Sequence, residues 1–301
     1  MVELLEGRYF KTFIAVLEEK SFSRAADRLG YVQSTVTTHV KLLEGLCNQK
    51  LFHRVARGVI PTEAGLKLEK YANQYIHLGN CIQEEMSDLD QARGTVSLRV
   101  QESFFLTRMT ELIQFFKDEH PLIKLRIESG FNQNIIDKVL DHGVDFGIVP
   151  RDPQRHEILF YPLVQEKLIF VASNQLSQEV ESDGLHVLNN QTLISFGTSC
   201  LYHSQSSKVL EEEGILTADA LELPSLEMIK QSVKQGIGFA MIPEVSVKEE
   251  LESGEFKSLQ LNAELSSLHG LIVNKDRELS YAAKLFKNAV LDYYSVKPAT
   301  L

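Results

Sequence analysis

Phe22-Ser23-Arg24-Ala25-Ala26-Asp27-Arg28-Leu29-Gly30, followed by Tyr31-Val32-Gln33-Ser34-Thr35-Val36-Thr37-Thr38-His39-Val40-Lys41-Leu42-Leu43-Glu44, divides at its glycine into two short helices. In the first, Phe22, Ala25, Ala26 and Leu29 recur at i, i+3, i+4 and i+7, and Ser21 stands where an N-cap belongs. Alanines at the centre of that face let a second helix approach closely, and Gly30 supplies the break. In the second helix Val36, Val40 and Leu43 form an inward stripe, while Gln33, Ser34, Thr37, Thr38 and Lys41 share the opposite side. A polar helix face is most often simply solvated. Serine and threonine, however, are weaker helix formers than the Glu, Lys or Ala that a merely exposed face would carry. Short hydroxyls, one amide and one cation, with no acid among them, suit close approach to phosphates and base edges.

Upstream, Tyr9, Phe10, Phe13 and Leu17 recur at helical spacing, so the stretch from Glu3 to Glu19 reads as another amphipathic helix. Downstream, Leu51-Phe52-His53-Arg54 and Gly58-Val59-Ile60 flank Val55-Ala56-Arg57, the pattern of a small hairpin wing. Arg54 and Arg57 on such a wing would reach backbone phosphate or the minor groove. The charge agrees once it is divided. The whole chain carries −10, but residues 1–62 hold nine Lys/Arg against six Asp/Glu, or +3, leaving −13 on the rest. A basic end on an acidic body is expected where one end meets nucleic acid.

These runs resemble the helix-turn-helix of the LysR-type transcriptional regulators. The resemblance rests on Phe13, Phe22-Ser23-x-Ala25-Ala26-x2-Leu29, Val32-Gln33-Ser34-x-Val36-Thr37-x3-Lys41-x-Leu43-Glu44, and Leu51-Phe52-His53-Arg54-x2-Arg57-x3-Pro61-Thr62-x-Ala64-Gly65. It implies a winged helix-turn-helix over residues 1–61. Its DNA contacts would fall on Ser23, Gln33, Ser34, Thr35, Thr37, Thr38 and Lys41, with Arg54 and Arg57 in the wing. Cys47-Asn48-Gln49-Lys50 departs from the Leu-Gly pair usual in the family before Leu-Phe, which leaves the turn into the wing open.

Thr62 can cap a helix running to Ala92, about 45 Å long. Leu68, Tyr75, Ile82 and Leu89 lie seven apart with Tyr71 and Leu78 between them, a short coiled-coil seam interrupted by Glu85 and weakened at Gly79. One helix packed along its own domain would explain the same pattern. The family resemblance implies the dimerisation helix of a homodimer or homotetramer, which would add the phosphate contacts of two weakly basic heads.

Beyond Gly94 the chain alternates. Strand 96–100, helix 109–119, strand 123–127, helix 135–142 and strand 144–149 predict a parallel sheet with helices on both faces. A second set follows: strands 168–172 and 192–196, helix 202–213, strand 220–223, helix 226–235 and strand 237–242. Strand 271–273 and helix 279–293 then return to the first set. The fold class expected is therefore α/β with an all-α N-terminal part: two α/β lobes, residues 93–165 with 269–301 and residues 166–268, behind a linker helix at 62–92. Glu227-x-Ile229-x3-Val233-x2-Gly236-Ile237-Gly238-x-Ala240-x-Ile242-Pro243 is similar to the family's effector domain, whose fold resembles periplasmic binding proteins.

A ligand in such a fold sits beyond the carboxyl ends of the strands. That selects Gln101, Glu102, Ser103, Ser129, Gly130 and Phe131 in one lobe, and Gly197, Thr198, Ser199 and Cys200 in the other. The last four precede a helix, whose free N–H groups favour a carboxylate or other small anion. An inward-pointing Glu102 would instead favour a cationic or hydroxyl-bearing effector. Each of these residues could also be an ordinary turn. A helix-start Cys200 would have a lowered pKa and could make the protein a redox sensor, but no resolving cysteine is near it in sequence, so packing is the simpler role. His203 stands where the family commonly has Arg.

Other classes fit less well. No signal peptide, membrane-length apolar run, Ser/His/Asp arrangement, phosphate loop or metal spacing is present in the sequence, and three scattered cysteines suit a reducing cytosol. A solute-binding protein or enzyme on the two-lobed fold would leave residues 1–92 unexplained. The expectation is a cytoplasmic, non-enzymatic regulator without cofactor. Its partners would be double-stranded DNA, a small-molecule effector, further copies of itself and, for an activator, RNA polymerase.

Overall fold

A computed structural model describes residues 5–86, 92–197, 200–261 and 265–296. Helices α1 (Gly7–Glu19), α2 (Phe22–Leu29) and α3 (Gln33–Cys47) enclose Phe10, Phe13, Val16, Ala25, Ala26, Val36, Val40 and Leu43. The α2 boundaries are those its caps dictate. Ser21 accepts from the Arg24 N–H, and Gly30, at φ 66°, gives its own N–H to the carbonyls of Ala26 and Asp27. The wing is the antiparallel pair β1 (Phe52–Val55) and β2 (Gly58–Pro61), anchored by Phe52 against Phe13 and Phe22. Gly58 has φ +124°, and a Cβ there would collide with the Lys20 carbonyl, which accepts the Val59 N–H at 3.1 Å. The wing is thus docked on the end of α1 through a residue that only glycine fits.

The turn left open by Cys47–Lys50 is closed by side chains. Glu44 accepts the Leu51 N–H at 3.0 Å, and Thr62 donates to the Lys50 carbonyl at 2.6 Å while accepting the Gly65 N–H at 3.0 Å. Thr62 therefore caps α4 (Glu63–Glu85) as its sequence position suggested. The helix is shorter than the 62–92 expected. Met86 turns its N–H back to the carbonyls of Ile82 and Glu84, and Leu89 of the proposed seam lies outside the described residues. Of the remaining seam, Tyr71, Tyr75, Leu78 and Ile82 are exposed, whereas Ala72 and Cys81 on another side are buried.

The rest is a nine-stranded sheet that two lobes share. In the first lobe, β3 (Gly94–Val100) lies between β4 (Ile123–Ser129) and β5 (Phe146–Val149), all parallel as predicted. In the second, β7 (Thr192–Ser195) pairs in parallel with β8 (Asp219–Glu222) and β9 (Gly238–Pro243). Joining them, β6 (Ile158–Ser173) and β11 (Leu265–Asn274) run antiparallel to each other, with β10 (Phe256–Leu259) added on β6, so the sheet is mixed. α5 (Glu102–Phe104) passes through a π-turn (Phe105–Met109) into α6 (Thr110–Glu119). With α7 (Asn132–Leu140) and α12 (Tyr281–Val296), these helices cover the first lobe. α8 (Asn174–Asp183), α9 (Leu201–Glu212), α10 (Leu226–Lys234) and α11 (Lys248–Ser253) cover the second. Separate cores result, one around Leu98, Phe116, Phe146 and Phe286, the other around Val171, Ile194, Ile229 and Phe239.

The sequence reading stopped β6 at 168–172, short of its true length. A proline inside a sheet ordinarily costs a ladder hydrogen bond, and Pro162 lies within this strand. The strand survives because Pro162 pairs with Gly270, where β11 slips register between His269 and Gly270. Gly270 is tight for the same reason: a Cβ there would collide with the Phe160 ring.

Candidate DNA-contacting face and inter-lobe cleft

On α3, Gln33, Ser34, Thr38 and Lys41 are exposed, Thr35 and Thr37 half-buried, and Val36, Val40 and Leu43 buried. The two outward hydroxyls are partly committed. Thr37 Oγ1 donates to the Gln33 carbonyl and Thr38 Oγ1 to the Ser34 carbonyl, each at 2.9 Å, so both turn lone pairs outward. The helix begins at Val32 without a side-chain cap and without an acid in its first turn. Its first N–H groups are left available for an anion. Ser23 is exposed on α2, 3.2 Å from Ser21 Oγ.

The charge of this domain is sorted by pairing. Arg28 reaches Glu18 at 2.5 Å, Arg24 reaches Glu19 at 3.6 Å, Lys50 reaches Glu44 at 2.7 Å, and Arg8 is paired with Glu6. Lys41, Arg54 and Arg57 are exposed and form no ion pair among the described residues, although the Arg54 guanidinium stands 5.8 Å over the Phe22 ring. The cations left uncommitted therefore include all three that the sequence pattern selected.

His39 was missed because the inward stripe was read for apolar residues alone. It is buried behind the outward face, between Tyr9 and Tyr31. Thr12 Oγ1 donates to the Arg8 carbonyl at 2.8 Å, so it must accept from His39 Nδ1 at 2.9 Å. Burial lowers the His39 pKa, and the neutral ring acts as a polar staple between α1 and α3.

At the carboxyl ends of the strands the two lobes meet. Gln101 and Ser103 are buried at the start of α5, Ser129 is exposed, and Gly130 donates its N–H to Val100. Phe131 crosses to pack on the second core, edge-on to Phe196 at 6.3 Å. Glu102 does point inward: its Oε2 accepts the Leu226 N–H at the start of α10, 3.1 Å away in the other lobe. Gly197, at φ +93°, lies against the Glu222 carboxylate, 2.7 Å from where a Cβ would stand. Thr198 and Ser199 lie outside the described residues.

Cys200 is 2 % exposed and caps α9, but burial pushes its thiol pKa up, contrary to the lowering expected from its helix-start position. Desolvation outweighs the helix dipole because the sulfur faces the second core. His203 turns to Ser195 Oγ at 2.9 Å. No cluster of His, Cys, Asp or Glu suited to a metal ion occurs among the described residues.

A second polar joint had no sequence signal. α4 rests on the base of the first lobe, where Arg277 donates to Asp145 Oδ1 through Nε (3.0 Å) and Nη2 (2.6 Å), and to the His142 carbonyl (2.7 Å). From α4, His77 Nδ1 lies 3.0 Å from Arg277, and Gln74 reaches His142 at 2.8 Å. Beside this joint, α1, α4 and the first lobe line a half-open cavity of about 570 Å³.

Comparison with known proteins places the whole arrangement. Residues 8–66 match the bacterial regulatory helix-turn-helix of the lysR family, and residues 89–295 match the LysR substrate binding domain. The chain belongs to the LysR family of bacterial transcriptional regulators, and its relatives are regulators rather than enzymes. It is 29% identical over 286 residues to the HTH-type transcriptional regulator YwqM of Bacillus subtilis, covering 94% of this chain and 97% of that one. In structure it is similar to ArgP from Mycobacterium tuberculosis, with TM-score 0.73 and 20% identity over 97% of this chain and 98% of ArgP. LysG from Corynebacterium glutamicum, solved with its effector Arg bound, has TM-score 0.67 and 17% identity over 97% and 99% of the two chains. No helix among the described residues is long and apolar enough to cross a membrane.

Proposed function

We propose that this regulator reads DNA with the exposed face of α3 and is controlled by a small molecule held between its lobes. Gln33, Ser34, Thr35, Thr37 and Thr38 enter the major groove, Lys41 takes phosphate at its edge, and Ser23, Arg54 and Arg57 take backbone phosphate or the minor groove. The observation that carries this reading is the pairing pattern: Lys41, Arg54 and Arg57 stay uncommitted while Arg8, Arg24, Arg28 and Lys50 are neutralised by neighbouring carboxylates. The exposed apolar side of α4 pairs with a second copy in a homodimer or homotetramer, and the protein works in the cytoplasm, with RNA polymerase as partner if it activates.

The residues proposed to hold the small molecule are Gln101, Glu102, Ser103, Ser129, Gly130 and Phe131 with Gly197 and Cys200, while Thr198 and Ser199, expected with them from the sequence, lie outside the described residues. Glu102 and Glu222 put carboxylates beside both rims, so the effector proposed offers a cationic or hydroxyl group there, in preference to the small anion that a bare helix start would suggest. A thermal-shift screen of amino acids, polyols and small acids on the full chain tests this. The reading predicts stabilisation by amine- or hydroxyl-bearing compounds, lost in Glu102→Ala. Stabilisation by simple carboxylates alone would contradict it.

A further inference from the structure

Among the described residues, three side chains at least nine-tenths buried carry a polar atom without a hydrogen-bond partner: Gln101 Oε1, Glu166 Oε2 and His269 Nδ1. Two of them face each other, His269 Nδ1 lying 3.5 Å from Glu166 Oε2. Glu166 is on β6 and His269 on β11, the strands that cross between the lobes, and His269 stands at the register slip. The first lobe holds Glu166 through Arg108, whose Nε donates at 2.8 Å from the π-turn. The second lobe reaches His269 through Tyr202 of α9, its hydroxyl 3.3 Å from Nε2. Tyr202 also hydrogen-bonds Ser103 of the first lobe, and the Phe104 ring stacks on His269 at 4.6 Å.

The donors can be assigned. Burial lowers the His269 pKa to about 3, so the ring is neutral and carries one N–H. Nδ1 lies 3.5 Å from a carboxylate oxygen and Nε2 3.3 Å from a hydroxyl, which puts the proton on Nδ1. Nε2 then accepts from Tyr202, and Ser103 donates to Tyr202. Every donor in the row Ser103, Tyr202, His269 points toward Glu166, and the last link is drawn out to 3.5 Å. A small shift that shortens and aligns the pair would complete it.

We infer that Tyr202 is the coupling residue of this regulator: its bond to His269 on the crossing strands, with Ser103 beside it and His269 facing the Glu166–Arg108 pair, forms a buried polar row that ties the position of the second lobe to those strands. The lobes are held in register by this row and by Glu102 on α10. A ligand that displaces α9 or Ser103 makes or breaks the final His269–Glu166 link. This rests on the effector reading only for the identity of the trigger, since the coupling itself exists without ligand.

The test needs no ligand. Spin labels are placed at the exposed Lys124 and Lys208, one per lobe, in the full chain with Cys47→Ser, diluted with unlabelled chain. Distances are read in Tyr202→Phe and in His269→Asn, which keeps a donor toward Glu166 but loses the acceptor for Tyr202. Each is also read in the Glu102→Ala background, where the second bridge is absent. Loss of the single narrow distance peak in both variants, at least in the Glu102→Ala background, is the expected result. A distribution identical to the parent's in both backgrounds overturns the inference. If the peaks broaden while the compound screen finds no binder, the effector reading falls and the coupling stands.

Discussion

Neutralising single cations of the DNA-binding domain separates free charges from paired ones. Each phosphate neutralised by a protein steepens the fall of log K with log salt by about 0.9. With Lys41, Arg54 and Arg57 on phosphate, one head contributes a slope of about −2.7 and a two-headed dimer about −5.4. A fourfold rise from about 50 to 200 mM salt then weakens binding on the order of 10³-fold. Lys41→Ala removes two contacts per dimer, reduces the slope to about −3.6, and lowers the loss over the same range to about 10²-fold. Arg28→Ala and Lys50→Ala remove cations held 2.5 and 2.7 Å from Glu18 and Glu44, and should leave the slope at its parent value. Fluorescence anisotropy on a duplex from upstream of the protein's own gene reads all of these. The reasoning fails if Lys50→Ala flattens the slope as much as Lys41→Ala, or if the Lys41/Arg54/Arg57 triple variant keeps the parent slope.

Arg277→Met strands the buried Asp145 with only the Ser97 N–H and hydroxyl as donors, each at 2.7 Å. Urea unfolding should show a loss of about 3–5 kcal/mol, partly recovered by adding Asp145→Asn; simple additivity of the two losses would contradict the pairing. His142 and His269 are held neutral by burial, their pKa values lowered from 6.5 to about 4 and about 3. The unfolded chain therefore takes up protons below about pH 6.5 that the folded chain refuses, so this stability is complete above that pH. Between about pH 6.5 and 4 each histidine should withdraw up to about 1.4 kcal/mol per unit, opposed by Glu84, Asp141 and Glu166, whose pKa values burial raises. Urea midpoints that do not fall from pH 7 to 5 would refute this. Of the three cysteines, the exposed Cys47 should react at once with a thiol reagent while Cys81 and Cys200 label only as the protein unfolds. Fast labelling of Cys200 would restore a redox role.

What could be read from the chain beforehand was what is local. The α2–α3 pair announces itself through Ser21, Gly30 and a 3.6-residue apolar period, all within some thirty positions. The lobes announced themselves through strand and helix alternation, and the ends of those strands suggested Gln101–Ser103 and Gly197–Cys200 as the rim of a cleft. Tertiary pairings left no such mark. Which of nine basic residues in the head are neutralised depends on Arg28 meeting Glu18 across two helices. The joint under α4 brings His77 to Arg277 from 200 positions away, and Tyr202 meets His269 only because two lobes close on crossing strands. The early start of β6 had no local mark either, since the cost of Pro162 to the ladder is offset by a register slip in a partner more than a hundred residues downstream.

The central claim is that the exposed face of α3 reads sequence, and selection of duplexes from a random pool by the full-length protein tests it most directly. The parent protein should enrich one motif, and Gln33→Ala should relax the choice of base at a defined position within it while binding to unrelated duplex stays unchanged. Enrichment of the same motif with the same stringency by the Gln33→Ala, Thr38→Ala double variant would contradict the account.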